Sequence, residues 1–364
     1  MQGPASMKEK YFSRSASICF VLLFGLVIPL LNRLPAADSA WHVPNYFITL
    51  LGKFICYSIV ALALDLIWGF SGILSLGQGI FFALGGYAMG MYLMQAAPGE
   101  GVYRNQLPDF MVFLNWQETP WFWRGFEHFS YALLMVVLLP AIFAFVFGYF
   151  AFRARIKGVY FSVITQAMTY ALMLLFLRNE TGVGGNNGLT DFKRILGYSL
   201  QSAETRLALY WISFVVLLGS LALCRFLVST KFGRVLTAIR DAEHRVRMFG
   251  YNVLNYKLVV WTFAAGLSGL AGALYVPQVG IINPGEFAPS FSIETAVWVA
   301  VGGRGSLAGA IFGAALVNML KSWLTVAYPE LWLYCLGGLF VLVTLYLPQG
   351  IFGVRKLPRW RFSR

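Results

Sequence analysis

Residues 229–275, STKFGRVLTAIRDAEHRVRMFGYNVLNYKLVVWTFAAGLSGLAGALY, set a short basic segment directly before a long apolar one. Arg240, Asp241, Glu243, Arg245 and Arg247 crowd together, and Gly250 then breaks the pattern. A charge at mid-bilayer costs several kcal/mol, so this segment belongs outside the hydrocarbon, as a short charged helix between two spans. On charge alone two readings fit: an ordinary positive cytoplasmic loop, or a docking helix that takes force from a partner protein.

The composition supports that membrane frame. Of 364 residues, 59% are hydrophobic and only 12% charged, where soluble domains are nearer half apolar and a quarter charged. Several apolar runs approach the length needed to cross a bilayer. The net charge of +13 suggests nucleic acid only until its placement is followed. Arg153, Arg155 and Lys157, the segment around Arg240, and the tail Arg355, Lys356, Arg359, Arg361 and Arg364 all fall on one side of the expected spans. The positive-inside rule makes that side cytoplasmic and leaves no charge pattern needing nucleic acid.

The expected architecture is an all-α polytopic membrane protein of about ten transmembrane helices, with both termini cytoplasmic. A basic tail occupies 1–16, a transmembrane domain 17–349 and a second basic tail 350–364. Spans are expected near 17–31 (an uncleaved first span), 46–68, 69–94, 131–150, 159–177, 207–227, 258–276, 292–301, 305–324 and 331–347. The piece at 292–301 is short for a crossing and is read as tilted or re-entrant. Loops at 95–130 and 178–206 are placed outside, the first with an interfacial helix near 116–129, and the basic loop 229–256 inside. Cys19, Cys56, Cys224 and Cys335 lie in or beside apolar runs without a CxxC pair, and read as small core residues rather than a disulfide framework.

Four local features carry the functional reading. GFSGILSLGQGIFFALGGYAMGMYLM (69–94) holds too many glycines for a plain lipid-facing helix. They suit either close helix packing or a broken, path-lining helix in which Ser75 and Gln78 offer polar groups. TGVGGNNGLTDF (181–192) is an irregular polar loop: either a surface turn, or a mouth loop that meets a small polar solute. Ala264, Ser268 and Gly272, with Ala265, Gly269 and Ala273 beside them, form a small-residue face, and Gly305, Gly309 and Gly313 form another. Asp65, near the inner end of its span, is either a functional carboxylate or a local cap.

Absent motifs exclude other chemistry. GxxxxGK[ST] does not occur, so the chain has no P-loop of its own. His42, His128 and His244 are scattered, which gives no HExxH or paired metal site, and GxSxG is missing. With Asp65 nearly alone among carboxylates in the spans, a carboxylate relay is also missing, so the energy for any transport comes from another chain.

Against that background, GFSGILSLGQGIFFALGGYAMG and GRVLTAIRDAEHRVRMFGYNVLNYKL followed by AGLSGLAGALY resemble permease subunits of the branched-chain amino acid and amide ABC importer family. The resemblance runs from about Tyr46 to Gly353. ETGVGGNNGLTDF, YVPQVGIINP and VAVGGRGSL are similar to the second permease subunit of the family's urea-import branch. Where the family usually carries a histidine this chain has Gln78, which removes any role there that needs a titratable group.

The resemblance implies a heterodimer with a second permease in the bacterial plasma (inner) membrane, two cytoplasmic ATPase subunits and a soluble periplasmic solute-binding protein. ATP and magnesium would sit on the ATPases, with no cofactor or metal on this chain. The basic helix at 231–249 would be the element that couples to an ATPase, through Arg234, Arg240, Asp241, Glu243, Arg245 and Gly250. For a small neutral polar cargo such as urea, candidate path residues are Ser75, Gln78, Asn186, Asn187, Thr190, Asp191 and Asn283. The same architecture carrying branched-chain amino acids, and a self-sufficient urea or water channel, are the competing readings.

Overall fold

A computed structural model describes residues 25, 27–33, 44–100, 103–346 and 350–353. The expected tail at 1–16, all but the start of that at 350–364, and most of the first span lie outside those residues. The main helices are α1 (Asn45–Ser71), α2 (Gln78–Gln95), α3 (Phe129–Arg153), α4 (Val159–Leu177), α5 (Ala203–Ser229), α6 (Lys231–Met248), α7 (Val253–Val279), α8 (Pro289–Gly302), α9 (Leu307–Ala327) and α10 (Trp332–Tyr346). Six of them, α1, α3, α4, α5, α7 and α9, are long and apolar enough to cross a bilayer.

The helices sort by how apolar they are all round. Helices α1, α2, α7 and α8 present buried residues on every face, as expected of helices enclosed by others. Around them stand α3 and α4, largely exposed along their apolar lengths. Helix α8 has 14 residues, which at 1.5 Å per residue is about 21 Å, short of the roughly 30 Å of hydrocarbon. It packs back against α9 instead of standing alone.

Backbone contact holds the centre together. A Cβ on Gly272 of α7 would overlap the carbonyl oxygen of Phe82 in α2, and one on Gly85 of α2 would overlap that of Gly269. On its other side Gly269 faces Pro140 and Val136 of α3. The small face of α7 is therefore a seam between two neighbours, which branched side chains would hold apart. Gly302, Gly309 and Gly313 do the same between α8 and α9. Gly305, expected in that face, instead lies in the turn before α9 with a φ of 74°.

Two further expectations need correction. The segment 116–129 forms no interfacial helix: Pro120 breaks it, a single 3-10 turn follows at Trp121–Trp123, and Gly125 takes a φ of 94° before α3 begins. Cys56 and Cys224 are buried, but Cys335 is exposed on α10.

Candidate functional site

The glycine-rich segment divides its glycines between two tasks. Helix α1 ends at Ser71, where Gly72 takes a left-handed φ of 75° and donates its N–H to the Trp68 carbonyl, while Ile73 donates to that of Ile67. The chain stays irregular to Gly77, and α2 starts at Gln78. Buried irregular backbone needs partners that water cannot supply in a bilayer. Hydroxyls from α4 and α8 supply them. Ser162 donates to the Leu74 carbonyl at 2.8 Å and Thr169 to that of Leu76 at 3.1 Å. Thr165 Oγ1 accepts from Leu76 N at 3.1 Å, and Ser292 Oγ from Gly79 N at 3.1 Å.

Both Ser75 and Gln78 are fully buried at this break. Ser75 Oγ accepts from Gly77 N at 3.2 Å, and Gln78 Oε1 accepts from Ser268 of α7 at 2.8 Å. Gln78 Nε2 has no hydrogen-bond partner among the described residues. Each hydroxyl bond to the break is worth about 1 kcal/mol, and more when its loss strands a buried group. Replacing Thr165 and Thr169 together with valine should lower thermal stability by roughly 2–4 kcal/mol, read as a lower midpoint in a detergent melting assay; an unchanged midpoint would mean that the break is held by packing alone.

The basic end of the bundle is tied to this break. Arg240 of α6 donates from Nη1 to the Gly69 carbonyl at 2.6 Å, at the last turn of α1, and from Nε to Asp241 at 2.8 Å. Asp65, buried one turn earlier, accepts from Gly305 N at 2.7 Å and so fastens α1 to the turn before α9. Asp65 thus serves as a tie between two elements rather than as a local cap of its own helix end.

Glu243 gathers three cations from three elements: Lys157 between α3 and α4 at 3.0 Å, Arg247 one turn on at 2.8 Å, and Lys257 of α7 at 2.9 Å. Burial pushes its carboxyl up, but the hydrogen bonds from Lys257 and Lys157 outweigh that and leave it below the usual carboxylate value. Helix α6 is kinked between these two anchors, with Ala242 at φ −155°, ψ 66°.

The outer side of α6 is open. Arg234, Asp241 and Arg245 line a groove of about 670 Å³ that also takes in Val235, Val246 and Phe249. Met248 and Phe249 are 76% and 81% exposed at its end, where Gly250 turns the chain with a φ of 83°. The end of α6 thus sets exposed apolar side chains beside the cations Arg234 and Arg245.

At the opposite end, Leu189–Thr190 (β1) pairs antiparallel with Ile281–Ile282 (β2), which brings the loop 181–192 against 281–288. Asn283 Oδ1 accepts from Gly285 N and caps the turn at Pro284–Phe287. Asn186 and Asn187 are exposed, and Asp191 is exposed and paired with Lys193 at 2.6 Å. Five of the candidate path residues thus share one surface, while Ser75 and Gln78 lie apart at the buried break.

Sequence reasoning missed a cluster between the two. Tyr57 of α1, Phe82 of α2, Tyr275 of α7, and Phe291 and Trp298 of α8 form a continuous set of ring contacts, with centroids 5.0–6.0 Å apart. Lys53 places its ammonium 5.6 and 5.9 Å from the Tyr57 and Tyr275 ring centres, and Tyr275 donates to Glu286 Oε1 at 3.0 Å. Glu294 pairs with Lys321 at 2.7 Å. The expectation that Asp65 is nearly the sole carboxylate among the spans therefore needs correction. Glu294 lies within α8, and Glu286, in the turn Pro284–Phe287 between α7 and α8, is brought back against Tyr275 of α7 only by the fold.

Comparison with known proteins agrees with this architecture. The family model described as "Branched-chain amino acid transport system / permease component" matches residues 46–344. The high-affinity branched-chain amino acid transport system permease protein LivM of Salmonella typhimurium is 26% identical over 81% of this chain and 67% of its own length. The probable branched-chain amino acid transport permease protein LivM of Methanocaldococcus jannaschii is 25% identical over 81% of this chain and 90% of its own. The fructose import permease protein FrcC of Rhizobium meliloti is 30% identical over 34% of this chain and 36% of its own. No solved structure matches.

Proposed function

Because this chain belongs to the branched-chain amino acid transport permease family, and is a multi-pass membrane permease, we propose that it is one permease subunit of an ATP-driven importer moving urea or a similar short amide inward. The observation that carries this reading is α6. A basic helix that grips the end of α1 through Arg240 and two other elements through Glu243, with its far face open, suits transmission of force from a partner. In this reading the basic end is cytoplasmic, both termini lie there, and the expected ten spans include the first apolar run.

The partners in this reading are a second permease forming a heterodimer, two cytoplasmic ATPases that hold the ATP and magnesium, and a periplasmic solute-binding protein that meets the surface around Asn186 and Asn187. The membrane is the bacterial inner membrane. Urea as cargo rests on the resemblance of residues 180–192, 275–284 and 299–307 to the urea-import branch. A second cargo, branched-chain amino acids, is favoured by the likeness to the LivM proteins.

Docking through α6 is directly testable. Phe249→Glu places a charge on an exposed apolar tip without touching the bundle, and should release the ATPase subunits from the purified complex, with the two permeases still associated on size-exclusion chromatography. An ATPase that stays bound at wild-type stoichiometry would remove the tip from the interface.

A further inference from the structure

We propose that Lys53, Tyr57, Tyr275, Glu286 and Trp298 form a transient solute subsite on the translocation path. It takes a small molecule of zero net charge that carries a carbonyl or carboxylate oxygen beside N–H donors. This rests on the importer reading above and specifies where that importer holds its cargo.

Several independent features converge here. The first is unused hydrogen-bonding capacity. Trp298 is fully buried, yet its indole Nε1–H has no partner among the described residues. The Lys53 ammonium rests over the Tyr57 and Tyr275 rings, with no carboxylate in salt-bridge range among the described residues. Glu286 receives Tyr275 at Oε1, which leaves Oε2 as an acceptor. Trp298 packs on the Tyr57 ring that carries Lys53, and Glu286 is bonded to Tyr275 of the same ring set. Buried polar groups are normally satisfied, so an orphaned donor in that cluster marks a place for a missing partner.

The second feature is charge balance. Glu286, Glu294 and Lys321 are the charged groups that face Lys53, and together the four sum to zero. A net-neutral solute keeps that balance, whereas a net ion would leave an uncompensated charge in a low-dielectric setting.

The third is position. Lys53 is the ninth residue of α1, and the ring cluster around it joins α1, α2, α7 and α8. Gly79 packs on the Glu286 carbonyl and Ser292, which sets the break at Gly72–Gly77 directly beside the cluster. Gln78, with its own unpartnered Nε2, adjoins it. The cluster is not sealed, since Lys53 and Glu286 are only partly buried. Ionisable residues inside a span and irregular backbone at depth are both expected where a solute passes.

The chemistry assigns roles. Lys53 and Trp298 donate to the solute oxygen, Glu286 accepts from its N–H groups, and the Tyr57 and Tyr275 faces bound it. Urea and an amino-acid zwitterion share this chemistry, and differ in whether the oxygen belongs to an amide or a carboxylate.

The test uses the complete importer in proteoliposomes with its binding protein, and measures uptake of radiolabelled urea and of leucine against concentration. It compares wild type, Lys53→Met, Glu286→Gln and Glu286→Asp. Because the binding protein sets the half-saturating concentration, losing a charge-assisted contact on the path should cut the maximal rate by about tenfold or more. The half-saturating concentration and the basal ATPase rate should stay unchanged, and Glu286→Asp should recover much of the loss. Loss of urea uptake assigns the amide, and loss of leucine uptake the zwitterion. Wild-type maximal rates in both Lys53→Met and Glu286→Gln would overturn the subsite and leave the importer standing. Parallel loss of rate, assembly and ATPase would show a structural role and overturn it as well. A wild-type complex that hydrolyses ATP but moves neither solute would overturn the importer reading and the subsite with it.

Discussion

Gly272→Val should abolish accumulation of the folded permease in the membrane, the largest effect expected of a single substitution in the described residues. The new side chain would meet the Phe82 carbonyl and the Gly86 amide, both backbone atoms of α2 that no rotamer change can move aside. Overpacking a tight contact costs about 3 kcal/mol or more when backbone must shift, a large fraction of a total stability of about 5–15 kcal/mol. Here the same seam also sets α7 against α3 through Gly269, Pro140 and Val136, so separation on one side is felt on the other. The control is Gly219→Ala in α5, where nothing lies within 4 Å of the added Cβ. That change should be neutral or stabilising by up to about 1 kcal/mol. Membrane yield and the fraction surviving a heat step before size-exclusion measure both. A Gly272→Val protein that accumulates like wild type would mean that the α2–α7 seam is not close-packed.

Uptake should fall by about tenfold or more in Arg240→Ala combined with Glu243→Ala, with ATP hydrolysis and assembly retained. Arg240 is the direct bond from α6 to the last turn of α1, and Glu243 fixes the same helix to Lys157 and Lys257. Charge-assisted bonds of this kind are worth about 1.5–3 kcal/mol each, enough for a tenfold loss from one alone. On the proposed importer reading, α6 without them would still meet a partner through its open groove, but its movement would no longer reach the break at Gly72–Gly77.

The pH dependence follows from the lowered Glu243 carboxyl. A depressed folded-state value gives stability that is present above the ordinary carboxylate range and is lost as pH falls through the lowered value. Coupling through Glu243 should therefore be flat across neutral pH and weaken only in strong acid. Glu243→Gln should show the coupling loss at every pH. Wild-type uptake in the double variant would place force transmission elsewhere.

Much of the bundle was legible in the sequence because hydrocarbon imposes a length on apolar runs. The run at 159–177 coincides with α4, and 131–150 and 207–227 fall within α3 and α5. The break was only half legible. Glycine serves both close packing and irregular backbone, and nothing local separates Gly72 and Gly77, which do the second, from Gly85 and Gly272, which do the first. What distinguishes them is the hydroxyl row of Ser162, Thr165 and Thr169 on α4, which in sequence looks like ordinary helix content.

The ring and charge cluster was illegible for a related reason. Lys53, Glu286, Glu294 and Lys321 are far apart in the chain, Lys53, Glu294 and Lys321 in three different expected spans and Glu286 between two spans, and nothing local links them. Only the pairing of β1 with β2 and the return of α8 along α1 bring them together. The basic helix was the opposite case. Its charges alone exclude the bilayer, and its amphipathic pattern sets Val235, Leu236, Ile239 and Val246 on the buried side.

The most direct test of the central claim is radiolabelled urea uptake into proteoliposomes that hold the assembled complex and its binding protein, with and without ATP at the ATPase side. The account predicts accumulation that needs both ATP and binding protein. Equilibration of urea without ATP would make the chain a channel and contradict the importer, and ATP-driven accumulation of leucine but not urea would keep the importer and contradict its cargo.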